Sequence, residues 1–261
     1  MTLTSPTLAV ARNTFREAVR DRVLYNLVAF AVILIASAVL FGQISIGIQK
    51  IILINLGLSS ISVFGLLISI FLGIGLVYKE VDKRSLYALL SKPVRRSQFL
   101  IGKFLGLNLT LLVNTFFMSA GLWAALYYLT RGFEHGDRYI FVAIYFILLE
   151  LSLVTAVCLF FSCFSTPVLS AIFTFLLYVI GTFSSDIRAF GELTKSAPMK
   201  VLSTALYYLL PNFSDFQIAG WVSHGRPVAG SLILLNTMYT ICYGAVLLIA
   251  SIVVFSRKDL K

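Results

Sequence analysis

KEVDKRSLYALLSKPVRRSQFLIGK, residues 79–103, is a basic bracket set between two long apolar runs, and its reading decides the fold. It holds seven of the chain's twenty-one Lys and Arg in one interhelical segment. Around it the chain is 59% apolar and only 12% charged, with a mean hydropathy of +0.94. Soluble domains of this length do not show that profile. Five stretches carry no Asp, Glu, Lys or Arg: Val23 to Gln49, Ile51 to Tyr78, Phe104 to Thr130, Leu151 to Ser185 and Pro227 to Ser256. A helix needs about twenty apolar residues to cross the hydrocarbon layer. The fourth stretch, joined to Tyr139–Leu149 across Glu150, is too long for one crossing, and Ser165-Thr166-Pro167 divides it. The expected spans are therefore Leu24–Gly42, Ile54–Tyr78, Phe104–Thr130, Tyr139–Phe161, Val168–Ser185 and Ala229–Phe255.

Backbone polar groups in lipid must be satisfied within the segment, which leaves helices or a closed barrel. Uninterrupted apolar runs lack the alternation of barrel strands. The expected class is an all-α polytopic membrane protein with six transmembrane helices, forming a single transmembrane domain over 1–261. The first residues show no short apolar core followed by a small-residue cleavage site, so the first span is expected to direct insertion itself.

Orientation follows from where the positive charge lies. The segment 1–23, the bracket 79–103 and the tail after Phe255 together carry fourteen of the twenty-one basic residues. The other seven are spread over the opposite loops with five acids among them. Both termini are thus expected in the cytoplasm, and an even number of spans is consistent with that. The net charge of +10 is first of all this topology signal, and nucleic acid is not an expected partner.

Ser5-Pro6 is a helix start, with Ser as N-cap and Pro in the first turn. Leu8, Ala11, Phe15, Ala18 and Val19 then share one face and Arg12, Arg16 and Arg20 another, the pattern of an amphipathic elbow helix lying on the leaflet. Within the bracket, Ser85 caps a short helix with Leu86, Tyr87, Leu89 and Leu90, which must stop before Pro93. A second helix is expected to start at Pro93 and run into the third span. Apolar anchors ringed by charge suit a docking element for a partner protein. Leucines lying back on the membrane surface are the alternative, and composition leaves both open.

The segment 186–228 is the longest expected outside the membrane. Val201–Leu210 is apolar, and Pro211-Asn212 precedes Phe213, Phe216 and Trp221. One or two short helices that re-enter the interface or cap the bundle are expected, where Tyr and Trp are favoured. Tyr207, Tyr208, Pro211, Phe213 and Phe216 are the candidates for an outward gate.

Inside the spans, Ser62, Gly65, Ser69 and Gly73 fall on one helical face, and Gly102 and Gly106 form a small-xxx-small pair. Small residues let helices approach closely in lipid, so internal packing or a dimer seam is the better reading than a ligand site. Glu150 is the one ionisable residue well inside a span. Charged at the bilayer centre it costs about 2.5–3.5 kcal/mol or more, so it should face the interior with a partner or a proton. A proton or substrate contact is one reading. A carboxyl hydrogen-bonded to Asn108, Asn114 or Asn236, holding helices in register, is the preferred one. Cys158, Cys163 and Cys242 lie in or beside spans without metal-ligand spacing, and His135 and His224 are isolated, so no metal site is expected. No HExxH, GxxxxGK[ST] or other enzymatic signature is present.

NTFREAVRDRVLY, VYKEVDKRSLYALLSKPVRRSQFLIGKFLG, FSCFSTPVLSAIFTFLLYVIGTFSSDIRAF and YYLLPNFSDFQ, nearly end to end, resemble permease subunits of the type-two exporter class of ATP-binding-cassette transporters. The resemblance is strongest to those labelled as linked to multicopper-enzyme maturation. It implies a cytoplasmic coupling region, carried here by Glu80, Arg84, Leu86, Tyr87, Pro93 and Arg96. It also implies an elbow helix, a re-entrant outward segment before the last span, and two permease copies, identical or related, on two separate ATPase chains that hold ATP and Mg. Soft ligands select Cu(I), whereas the four Met here are unclustered, so the label does not give the substrate.

The chain thus reads as the membrane subunit of an ABC exporter, not itself an enzyme, with hydrolysis on the partner. A membrane scaffold or regulator is the alternative. An integral membrane lipid enzyme would need clustered polar residues at one face, and the sequence offers none.

Overall fold

The computed structural model describes residues 6–44, 47–82, 95–132, 134–193 and 197–257. It is all-helical among these residues. In chain order the helices are α1 (Pro6–Val19), α2 (Arg22–Ile44), α3 (Gln49–Asp82), α4 (Arg96–Thr130), α5 (Arg138–Ser162), α6 (Pro167–Thr182), α7 (Ser184–Leu193), α8 (Ala197–Leu209), α9 (Ala219–Ser223) and α10 (Gly230–Arg257), with 3-10 turns η1 (His135–Asp137) and η2 (Ser214–Phe216). Helices α3, α4, α5 and α10 are each long and apolar enough to cross a membrane, and counting the bent pairs α1–α2 and α6–α7 as spans brings the number to six.

Helix α5 is the centre of the bundle. Its most apolar window is 67% buried against 22% for α10, so α5 is walled by protein while α10 shows most of its surface outward. The α3 stripe of small residues packs on it. A Cβ at Gly73 would lie 2.7 Å from Cys158 Sγ, one at Gly65 would run into Leu151, and Ser69 and Thr155 hydroxyls hydrogen-bond at 2.9 Å. That stripe is internal packing. Where the backbones approach this closely, dispersion between them supplies the association energy that lipid cannot.

Helix α1 is described from Pro6, Ser5 lying outside the described residues, and the face it turns to the bundle is not the one that carries Leu8, Phe15 and Val19. Val10, Ala11, Thr14 and Ala18 are buried, whereas Leu8 is 57% exposed and Phe15 and Val19 only half-buried. The groove on α4 explains the change: Cβ atoms at Gly102 and Gly106 would come within 2.7 Å of Val10 Cβ and 2.6 Å of Thr14 Cβ. A seat made by two glycines selects small side chains over Leu and Phe. The Gly102–Gly106 pair is therefore the berth of α1. Replacing Gly106 by Val will lower the thermal midpoint in detergent, at a cost of about 1–3 kcal/mol, and expose Arg12 and Arg16 to trypsin. Gly75→Ala, with nothing within 4 Å, is the control. Equal midpoints and equal trypsin resistance for the two variants would refute the berth.

Two boundaries differ from the sequence reading. Helix α4 begins at Arg96, not Pro93: Arg95 is extended (φ −69°, ψ 145°), and its N–H donates to Gln98 Oε1 at 3.1 Å, which closes the helix start there. The expected fifth span, Val168–Ser185, is broken. Helix α6 stops at Thr182 and α7 leaves at 51°, because Ser184 gives its hydroxyl to Asn212 Oδ1 at 2.7 Å and ties the chain to the following loop. Between α6 and α10 there are three helices and a 3-10 turn where one or two helices were expected. The additional one is α7, whose Arg188 and Glu192 pair at i,i+4.

The bundle has two distinct ends. One gathers α1, the start of α4 and the end of α10, where Phe99 stacks on Phe255 with centroids 6.2 Å apart. The other carries Lys50 at the start of α3, which reaches Glu134 at 2.8 Å and Asp137 at 2.6 Å beside η1. The α7–α9 segment belongs to this second end: Phe213, Phe216, Ile218 and Val222 are buried against the bundle. Helix α8 packs on α7 and leaves Val201, Tyr208 and Leu209 exposed, so of the two expected placements, at the interface or over the bundle, it does not take that of a cap.

Candidate functional site

The bracket's proposed docking residues Arg84, Leu86, Tyr87, Leu89, Leu90 and Pro93 lie outside the described residues, and of Glu80 only its place on α3 is described. Arg96 is placed. Its guanidinium donates to the Phe255 carbonyl at 3.0 Å and the Ser256 carbonyl at 2.9 Å. A helix leaves its last carbonyls unpaired and partially negative, so an Arg there both fills the bonds and opposes the dipole. Arg96 thus ties the bracket's exit to the end of α10. Nearby, Lys103 is 1% exposed with its ammonium 5.7 Å from the Phe99 ring centre.

The second site is a cavity of about 210 Å³ between α3, α5, α6 and the η2–α9 segment. Glu150 lies in it, 2% exposed. Tyr178 from α6 donates to one carboxyl oxygen at 3.1 Å and Ser62 from α3 to the other at 3.3 Å. The carboxyl thus links α5 to α6 and α3, and its partners are a tyrosine and a serine, not an asparagine. Asn108 donates to its own helix at Phe104 O (2.9 Å), Asn236 donates to Asp215 O (2.9 Å), and the buried Asn114 Nδ2 has no hydrogen-bond partner among the described residues. The correction has a geometric cause: one turn of α3 carries Ser62 along the stripe that faces α5, and Tyr178 sits near the end of α6 where that helix passes the same level. A Ser on a small-residue stripe and a lone Tyr in an apolar span were the sequence signals for these two partners.

Both partners of Glu150 are neutral, and among the described residues no basic side chain forms an ion pair with it. Ser59 and Gln217, both exposed, add further polar atoms to the cavity. Its remaining walls are apolar, with Leu58, Ile147 and Ile218 among them.

The aromatic residues expected to gate this end divide into two groups. Pro211, Phe213 and Phe216 are buried. Phe213 lies 5.3 Å from the Tyr178 ring, and Phe216 meets Phe146 edge-on at 6.2 Å. These two form the packed roof beside the cavity. Tyr207 is half-buried with Arg188 4.8 Å over its ring and reaches the segment only through its hydroxyl, which accepts from Asn212 Nδ2 at 3.4 Å, and Tyr208 is 71% exposed. Asn212, which the sequence did not single out, is the hub of the segment. Its Oδ1 accepts from Ser184 and Ser214, its Nδ2 donates to Asp215 at 2.9 Å, and its backbone N–H donates to Tyr239 OH at 2.8 Å. One 6%-exposed residue thereby binds the start of α7, η2 and α10 together through its side chain and its backbone N–H.

A family model described as ABC-2 family transporter protein matches residues 8–260. No curated protein matches the chain.

Proposed function

The chain belongs to the ABC-2 transporter family, and from that premise we propose that it is the permease subunit of an exporter that couples ATP hydrolysis on a separate chain to movement of a substrate across the bacterial inner membrane. The match over residues 8–260 carries this reading, since it spans every helix from α1 to α10. ATP and Mg belong to the partner ATPase. The bracket 79–103 is its docking site, with Glu80, Arg84, Leu86, Tyr87, Leu89, Leu90, Pro93 and Arg96 as the coupling residues. Two copies, or this chain and a related permease, complete the membrane part.

The arrangement at the first end of the bundle supports coupling there. Helix α1 is locked on the start of α4, and Arg96 locks that start to the end of α10. A push on the bracket therefore reaches three helices at once through close-packed contacts, which transmit displacement because interiors deform little. The basic charge of the same end supports a cytoplasmic orientation for it.

The test is capture and labelling. An affinity-tagged chain solubilised in mild detergent from its own host will bring down an ATPase. In intact cells, single cysteines introduced at Ser97 and Lys258 will resist an impermeant thiol reagent and one at Ser196 will react. Labelling at Ser97 would reverse the orientation, and capture without any ATPase would remove the transporter reading.

A further inference from the structure

We propose that the Glu150 cavity is a seat for an ammonium group borne on a small apolar body; the inference rests on the transporter reading for its purpose but not for its chemistry. An intramembrane carboxyl is expensive and marks a pathway or a ligand contact unless structure alone explains it. Here structure explains only part. Glu150 ties α3 and α6 through two hydroxyls, yet it does so at the wall of an open volume when a closed, dry contact would hold the helices equally well.

The lining selects the ligand's sign and shape. Among the described residues the carboxyl is the acidic group of the cavity, and every other polar side chain lining it, Ser59, Ser62, Tyr178 and Gln217, is neutral. An anion would face a carboxylate with no basic side chain in the lining. A cation finds Glu150 as counter-charge and hydroxyl and amide oxygens as acceptors for its N–H groups. A divalent metal is a poor fit, because hard cations take six or more oxygen ligands, several of them charged, and one carboxylate among apolar walls does not supply them. Leu58, Ile147 and Ile218 instead suit an alkyl body. Size limits that body: about 210 Å³ lies below the range of roughly 300–1,000 Å³ that holds drug-sized molecules, so the occupant is a small amine or the head of a larger one. Free alkylamines and aminophospholipid headgroups both present this chemistry.

The probe is radiolabelled n-hexylamine, an ammonium at neutral pH because unperturbed alkylamines titrate near about 10.4. It is applied to the full chain, with whatever ATPase it captures, in phosphatidylglycerol nanodiscs. Saturable binding is expected, displaced by unlabelled hexylamine and not by 1-hexanol. Glu150→Gln keeps the shape and removes the charge, and should weaken binding at least about tenfold, the size of a 1.4 kcal/mol loss. Should that variant fail to fold, Ser59→Lys serves, since an exposed position at the cavity can supply an internal ammonium that occupies the carboxyl and excludes the probe. Adding phosphatidylethanolamine to the discs separates the sources: competition names the lipid headgroup and its absence a free amine, and either supports the seat. Three results overturn it: no saturable binding to folded parent protein, displacement by hexanol as effective as by hexylamine, or binding to the Gln or Lys variant equal to the parent. An ATPase missing from the capture would defeat the transporter reading while leaving each of these binding results legible.

Discussion

Changing Leu86 and Leu89 together to Asp will strip the ATPase from the complex while leaving the permease inserted and folded. The two leucines fall three apart in SLYALL, on one face if the segment is helical, and basic residues flank them on both sides. Apolar anchors inside a polar rim carry most of the energy of a protein contact, and losing a central one costs at least about 2 kcal/mol, or roughly 30-fold in affinity. Carboxylates placed there add the desolvation of two charges. Neither residue belongs to a span, so yield and thermal midpoint should match the parent. Co-purification of ATPase at the parental ratio would assign the leucines to the membrane surface. A fall in yield that parallels the loss of ATPase would show that the bracket is needed to fold the bundle.

That prediction draws on the bracket's sequence alone, and it marks where reading the sequence was strongest. Long charge-free runs have one solution in lipid, so helix existence and the centres of the six expected spans followed directly from composition. Boundaries needed more. The break at Phe183 depends on a Ser184–Asn212 bond across twenty-eight residues, and nothing in FLLYVIGTFSS announces that partner. The face of α1 that packs on the bundle was not legible for a similar reason: periodicity ranks side chains by hydrophobicity, whereas a groove floored by Gly102 and Gly106 ranks them by size. Glu150 was legible as an oddity because an acid in an apolar run is conspicuous. Its partners were not, since in a span whose neighbours are unknown an Asn is as good a guess as a Ser or a Tyr.

Gly181→Leu will detach the roof of the cavity from α6 and with it the wall that Phe216, Gln217 and Ile218 supply. Gly181 stands in the last turn of α6, where its carbonyl accepts the Phe213 N–H at 3.0 Å. A Cβ there would run into the Pro211 carbonyl oxygen and come within 2.6 Å of Phe213 Cδ2. Phe213 is 0% exposed and cannot swing aside, and the carbonyl is backbone, so the loop itself must lift. Lifting it breaks the Asn212 hub, which leaves several buried polar groups short of partners, each worth about 1–3 kcal/mol, in addition to the overpacking cost of about 1–3 kcal/mol. A fall in thermal midpoint larger than that of Gly106→Val is expected, together with new proteolysis between Leu209 and Trp221 and loss of hexylamine binding. Gly181→Ala should show the same effects in weaker form, because the first methyl already collides. Gly220→Ala, which meets nothing within 4 Å in the same segment, should leave all three measurements unchanged. If Gly181→Leu and Gly220→Ala behave alike, the segment over the cavity is not held by α6, and the roof must be assigned to other contacts.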